Sequence, residues 1–472
     1  MRTALTRLPS LLAMVASVLV AVACAPAGVQ PTAKAIGYAD ARHLLARTGF
    51  GPTDAEVRKY AEFTREEAVA QLLSDARASP IVPPPDWATE TGALRRPRGD
   101  TASAEELQAF RQEQIRQTLE LRAWWLSEMQ ETPSPLTERM TLFWHNHFVS
   151  SQQKVRFARL MYAQNATFRE HALGDFRTLL HAAAKEPAML IYLDSAQNRK
   201  GQPNENFARE VMELFTLGEG SYSERDVQEA ARAFTGWSLD RETGRYRFRP
   251  GLHDAGTKTV LTQSGRLDGD AVLDVLLARS ETAEFLTRKL WREFVSPEPD
   301  AQEVKRIAQQ FRNANYDIKM ALRSLFLSDA FWSANHRGVL VKSPAELVVG
   351  TLRQLEIERL PKQPFALASA GMGQNLFSPP NVKGWPGGES WINTHTLLAR
   401  KQFLDRMART GAAPAAWLGR FPGVTQARRM QAAEELLLPL PSSARTHTDA
   451  AEIADATTFL RATLLDPAYQ LK

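Results

Sequence analysis

The densest chemistry in the chain sits between residues 192 and 218. There a polar loop punctuated by Gly201 and Pro203 runs into the segment Asn204-Glu205-Asn206-Phe207-Ala208-Arg209-Glu210-Val211-Met212-Glu213-Leu214-Phe215-Thr216-Leu217-Gly218. Pro203 and Asn204 are helix start signals and Gly218 is a stop signal. Phe207, Val211, Leu214 and Phe215 recur at helical spacing and predict the buried stripe. Asn206, Glu210 and Glu213 fall on a second face, with Glu205 one residue round from it. Two glutamates at i and i+3 repel when both are ionised. The pattern therefore requires something to offset that repulsion: a cation, an arginine such as Arg209, or water.

Carboxylates that converge with imidazoles suit a divalent metal or a proton-transfer site. The partners on offer are His145 and His147, in Trp144-His145-Asn146-His147-Phe148, and the pair His253-Asp254. The expected metal ligands are thus His145, His147, Glu205, Glu210, Glu213, His253 and Asp254, around a metal whose identity the residues do not specify. Glu210 or Glu213 would act as base or ligand, and His147 or His253 as ligand or proton donor. Spacing raises a difficulty. His145 and His147 are i and i+2, so on a continuous helix they point to nearly opposite sides. Both reach one site only if the helix ends near Asn146. The alternative is a buried polar network in which glutamates pair with arginines and the histidines bond backbone carbonyls.

Two further groups have ligand chemistry. Asp194, Asn198, Asn204 and Glu205 are oxygen donors in a loop whose ends resemble a calcium loop, although Ala196 and the placement of Gly201 break that pattern. Asn204 and Asn206 are accordingly candidate ligand-binding residues. The loop Ser378-Pro379-Pro380-Asn381-Val382-Lys383-Gly384-Trp385-Pro386-Gly387-Gly388-Glu389-Ser390-Trp391 sets Trp385 and Trp391 on a rigid turn. Their faces suit sugar rings or aromatic ligands, although such loops more commonly serve as packing plugs. No Gly-x-Ser-x-Gly and no phosphate-binding loop occurs.

The elements that must position these residues read as helices almost throughout. Thr53 with Glu56, Ser223 with Asp226, and Ser343-Pro344 with Glu346 are N-terminal signals. His43 sits among apolar residues and is expected to be a packed core histidine. Residues 80–104, rich in Pro and Arg, are expected to form a flexible surface excursion. Strand material is confined to 245–267, where Arg245 to Arg249 alternates with aromatics and Lys258 to Thr262 follows. The expected fold is mainly α: one large multi-helix domain over 37–472 with a small β-hairpin insertion, and no βαβ alternation.

Composition places limits on function. The 472 residues are 44% hydrophobic and 24% charged, with a net charge of +5. Those values are typical of a globular protein. The basic residues are dispersed, so no nucleic-acid partner is expected. At the N-terminus Arg2 and Arg7 precede an apolar run, Leu11 to Ala23, too short to span a bilayer. Residues 1–23 are expected to be a secretory signal peptide. The single cysteine, Cys24, follows Ala21-Val22-Ala23 and is read as a lipidation site, with 24–36 as a tether. The other reading is ordinary cleavage after Ala23. Either way the chain is expected to be exported to the cell envelope, with membrane attachment through an N-terminal lipid.

Taken together, Arg42-His43-Leu44-Leu45 through Gly49-Phe50-Gly51-Pro52-Thr53, the 144–148 motif, Pro203 to Gly218, Ala231-Arg232-Ala233-Phe234-Thr235-Gly236-Trp237, His253-Asp254 and the 378–388 loop resemble the bacterial family known as domain of unknown function 1800. The resemblance covers nearly all of 37–472. It implies an exported, mostly helical protein and no particular activity. Two functional readings stand: a metal- or carboxylate-dependent hydrolase acting on an envelope or extracellular polymer, and a non-catalytic helical scaffold or binding lipoprotein with an envelope protein partner.

Overall fold

A computed structural model describes residues 34–95, 97, 102–357, 360–410, 414–442 and 455–472. Residues 1–23, expected to be a leader, Cys24 and most of the expected tether 24–36 lie outside the described residues. From Ala35 to Lys472 the chain forms one unit. Its described residues are mainly α-helical, with two small two-stranded sheets. No helix among them is long and apolar enough to cross a membrane.

The start signals do what their chemistry predicts. Thr53–Glu56, Ser223–Asp226 and Ser343–Glu346 each form a complete capping box, in which the hydroxyl accepts the N3 amide and the carboxylate accepts the cap amide. The N-terminal signature is fixed by a backbone contact. Gly51 has φ +79°, and a Cβ there would come within 2.8 Å of Gly350 Cα on helix Pro344–Gln354. Any side chain would force the two segments apart. Arg353 ties the same corner together, donating to Gly51 O at 3.1 Å and pairing with Glu56 at 2.7 Å. His43 is buried and bonds Phe331 O at 2.9 Å, the core role expected of it.

Around these run the helices that matter for the site. Helix Pro135–His147 is buried along almost its whole circumference. It packs against Ala104–Glu131 and Ala158–Glu170. Arg169 reaches back to Glu138 in a fully buried ion pair, and Trp125 Nε1 donates to the same carboxylate at 2.8 Å. Helix Ser280–Phe294 lies against residues 211–216 and borders the opposite side of the site. The end of the described chain returns to this region. Leu471 bridges Val341, and the Lys472 amide donates to Leu340 O at 2.9 Å, which delivers the Lys472 side chain beside Glu346.

One expectation is corrected. The segments 245–249 and 258–262 do not form one hairpin with each other, and strand material begins before 245. Strand β1 (Trp237–Asp240) pairs with β2 (Arg245–Phe248), and β3 (Lys258–Val260) pairs with β4 (Gln263–Gly265). Alternation marks a strand but does not name its partner, and the nearest partner in sequence lies just across a tight turn in each case. The excursion at 80–104 is anchored where it is described. Glu128 accepts the Ile81 and Val82 amides, Trp87 donates to Glu120 at 2.9 Å, and the Leu94 amide donates to Arg241 O at 2.7 Å.

Candidate functional site

The glutamate helix is not the regular helix its spacing predicts. Asn206–Glu210 is α-helical, but Val211–Thr216 widens into a π-helix. Leu217 and Gly218 both donate to Met212 O, and the Thr216 hydroxyl donates to Val211 O at 2.6 Å. Such bulges cluster at functional positions. Phe207, Val211 and Phe215 are buried as expected, with Leu214 partly so.

The repulsion between Glu210 and Glu213 is answered unevenly. Glu213 accepts a hydrogen bond from the Tyr222 hydroxyl at 2.8 Å. Arg209 turns away to Glu224 at 2.7 Å and Glu205 at 3.2 Å. The Glu210 carboxylate makes no hydrogen bond or ion pair among the described residues. Burial, and then the neighbouring Glu213, push its carboxyl above the usual range.

The expected metal cluster does not assemble. Helix Pro135–His147 continues through both histidines, so they diverge. His145 lies beside Asn165 at 3.1 Å, among Trp125, Phe168 and Phe377, and burial holds it neutral, with a pKa of about 3. His147 points the other way. Its Nε2 bonds Phe215 O at 3.1 Å and its Nδ1 lies 2.9 Å from Lys289 Nζ. A carbonyl can only accept, so Nε2 carries the proton and Nδ1 offers its lone pair to the lysine. Both ring nitrogens are thus occupied. Glu205 is held by Arg209. His253 Nδ1 bonds Thr235 O at 2.9 Å, and Asp254 pairs with Arg232 at 2.8 Å. Among the described residues no three His, Cys, Asp or Glu side chains are grouped to hold a metal ion.

The calcium-like loop is likewise committed to structure. Asp194 pairs with Lys154 at 2.7 Å and receives Asn206 Nδ2 at 3.4 Å. The Asn198 side chain accepts from the Asn204 amide and donates to Ala231 O, while its backbone carbonyl accepts from Gly236. Asn204 itself turns its side-chain oxygen to the Asn206 amide at 3.0 Å. The long loop and the Ala231–Trp237 motif therefore hold each other in place.

A different set of motif residues meets at an open cleft of about 390 Å³. The 144–148 motif and the 378–391 loop interlock at its edge. Asn146 Oδ1 accepts the Trp385 amide at 2.7 Å and Nδ2 faces Trp385 O at 3.4 Å. Gly384, at φ +87°, leaves the space in which Asn146 sits, and a Cβ there would collide with Asn146 Oδ1. Trp385 and Trp391 are both largely buried, as a packing plug requires, yet both also line the cleft. The Trp385 indole N–H is buried without an acceptor among the described residues.

The charged lining is mostly cationic: Arg139, Lys289, Arg292 and Lys472 against Glu293 and Glu346. Arg139 bridges both carboxylates, and Lys472 pairs with Glu346. Burial alone would raise the Glu346 carboxyl, but Arg139 and Lys472 outweigh it and hold it at about 2. Both carboxylates are thereby engaged. Arg292 is exposed and has no ion pair among the described residues. Lys289 has no carboxylate partner either. Burial, and then Arg292, lower its ammonium to about 7. The sequence gives no sign of Lys289. A lone lysine on the amphipathic helix Ser280–Phe294 reads as a solvated position, and only the packing of His147 beside it shows otherwise.

The chain belongs to the family described as "Protein of unknown function (DUF1800)", whose model matches residues 43–471. No curated protein and no solved structure matches it.

Proposed function

We propose that this protein binds an anionic ligand in the cleft between helix Pro135–His147, helix Ser280–Phe294 and the Gly384–Trp391 loop, with the ligand's rings set against the tryptophans. The observation that carries the reading is the unbalanced lining. Once Arg139 and Lys472 have neutralised Glu293 and Glu346, Arg292 remains as a cation with no carboxylate partner among the described residues, and Lys289 adds a second such charge in its protonated form. A bound carboxylate or phosphate supplies the missing charge and forms charge-assisted hydrogen bonds. The cleft volume falls in the usual range for small-ligand pockets, about 300–1,000 Å³. It suits a small molecule or the end of an acidic chain. The N-terminal leader supports an encounter outside the cytoplasm, where acidic envelope polysaccharide is such a chain. The anchor is proposed to be Cys24. An N-terminal peptide mass lacking diacylglycerol on Cys24, in protein taken from the membrane fraction, rules the anchor out.

Titration calorimetry with oligogalacturonate and with neutral dextran oligosaccharide tests the ligand reading. Oligogalacturonate is expected to bind and to weaken with added salt, because exposed charge contacts are screened. Arg292→Ser should weaken it about tenfold, the equivalent of about 1.4 kcal/mol and in the range of one charge-assisted contact. Equal binding of the neutral sugar, or no binding of either, rejects the reading.

A further inference from the structure

We infer that Lys289 is a reactive amine that condenses with the carbonyl group of a ligand held in the cleft. The inference rests on the cleft being a ligand site and adds a covalent step to it. Three features of the geometry point there. Among the described residues the ammonium has no carboxylate to hold its proton, and its one polar side-chain contact is the His147 Nδ1 lone pair at 2.9 Å, whose direction is fixed by the bond from Nε2 to Phe215 O. The Lys289 side chain lines the open cleft while lying against the Phe285 ring, 5.3 Å from its centroid, so it is poorly solvated yet reachable. A desolvated lysine next to a second cation, here Arg292, is the usual setting of a nucleophilic amine.

The step balances without any other reagent. The Lys289 nitrogen adds to the carbonyl carbon, forming the C–N bond. The carbonyl oxygen takes up both nitrogen protons and leaves as water, and the C=N bond replaces C=O. His147 acts as a positioning residue, holding the amine through its lone pair. With Arg292 at the rim, the ligand class is an anionic aldehyde or ketone.

The chain supplies its own comparison. Lys342 is also lowered to about 7, chiefly by burial and then by Arg42, but its ammonium stacks on Tyr469 at 3.9 Å and it does not line the cleft. The purified protein is incubated at pH 7 with cyanoborohydride and acetaldehyde, glyoxylate or galacturonate, and alkylated lysines are mapped by peptide mass spectrometry. Ordinary lysines, near pKa 10.4, are less than about 0.1% unprotonated at this pH. Lys289 is expected to be alkylated at least about tenfold faster than Lys342 and every surface lysine, with a rate midpoint near pH 7. Alkylation of Lys289 no faster than Lys342 overturns the inference, because depressed basicity alone would then account for the labelling. Glyoxylate and galacturonate, run side by side, separate a small oxo acid from the reducing end of an acidic sugar. Failure of the anion reading has a different signature: acetaldehyde labels Lys289, but neither anionic carbonyl is faster and oligogalacturonate does not protect. If oligogalacturonate binds while Lys289 stays unmodified by all three carbonyls, the covalent step alone is lost.

Discussion

Glu210 is half-buried beside Glu213 and its carboxylate lacks any hydrogen-bond partner among the described residues, while Glu213 has Tyr222. Its raised pKa means that its ionised form is disfavoured in the fold. The penalty is fully present above the folded pKa and is gone below the unfolded one. Glu210→Gln is therefore expected to stabilise the protein by roughly 0.5 kcal/mol at pH 7, with the gain vanishing near pH 4, read by urea denaturation at both pH values. A loss of stability at pH 7 would show that the carboxylate has a partner of its own. At this scale the sequence was informative about residue type and poor about direction. The i, i+2 spacing of His145 and His147 already implied divergence on a continuous helix, and that is what occurs. It could not show that His147 would meet Lys289, 142 positions away in sequence. Nor could it show that the arginine between the glutamates would choose Glu224.

Helices were legible from their caps because a capping box is a local hydrogen-bond pattern, settled within four residues. The π-helix at Val211–Thr216 and the partners of the two hairpins were not legible, since both depend on contacts made elsewhere. The junction of the 144–148 motif with the 378–391 loop belongs to this scale as well. Each segment alone suggested a site, and their meeting explains why an asparagine stands between two histidines. Asn146 is the least buried residue near the C-terminal end of its helix, and its side chain fastens the tryptophan loop over the cleft. Gly384→Ala should break that fastening through both the positive φ and the collision with Asn146. The expected loss is roughly 1–3 kcal/mol, together with a red-shifted tryptophan emission as the loop loosens. Unchanged emission and stability would mean that the loop is held by its prolines alone.

Across the whole molecule, buried titratable groups act in one direction over most of the pH range. His43 and His145 are lowered to about 2 and about 3, and His147 well below its ordinary value, chiefly by burial. A histidine kept neutral in the fold but free to protonate when unfolded gives stability that is complete above pH ~6.5 and is lost as pH falls. Three buried or half-buried carboxyls oppose them: Glu128 and Glu210, raised chiefly by burial, and Glu186. Burial raises Glu186 to about 7, so the folded state takes up a proton there that the unfolded chain does not hold. Each proton by which the histidines exceed these carboxyls is worth up to ~1.4 kcal/mol per pH unit between roughly pH 4.5 and 6.5. On the alkaline side Lys289 and Lys342 at about 7, and Lys472 at about 8, are all lowered first by burial. The unfolded chain keeps these protons up to about pH 10.4, so stability rises again as pH climbs from 7. The two windows adjoin, and the histidines that the sequence marked as candidate ligands work here as structural groups on the acid side. The unfolding free energy in urea is therefore expected to increase at each step from pH 5 through 6 and 7 to 9, whereas many proteins peak between about pH 5 and 8. A Lys289→Met variant should depart from that curve in a defined way. Its stability relative to the parent should be highest at or below pH 7 and should decline toward pH 9, because the buried ammonium it removes is a burden only while it is protonated. A parent maximum at or below pH 7, with a parallel curve for the variant, would show that Lys289 keeps an ordinary proton affinity. It would also remove the physical basis for a nucleophilic amine in the cleft.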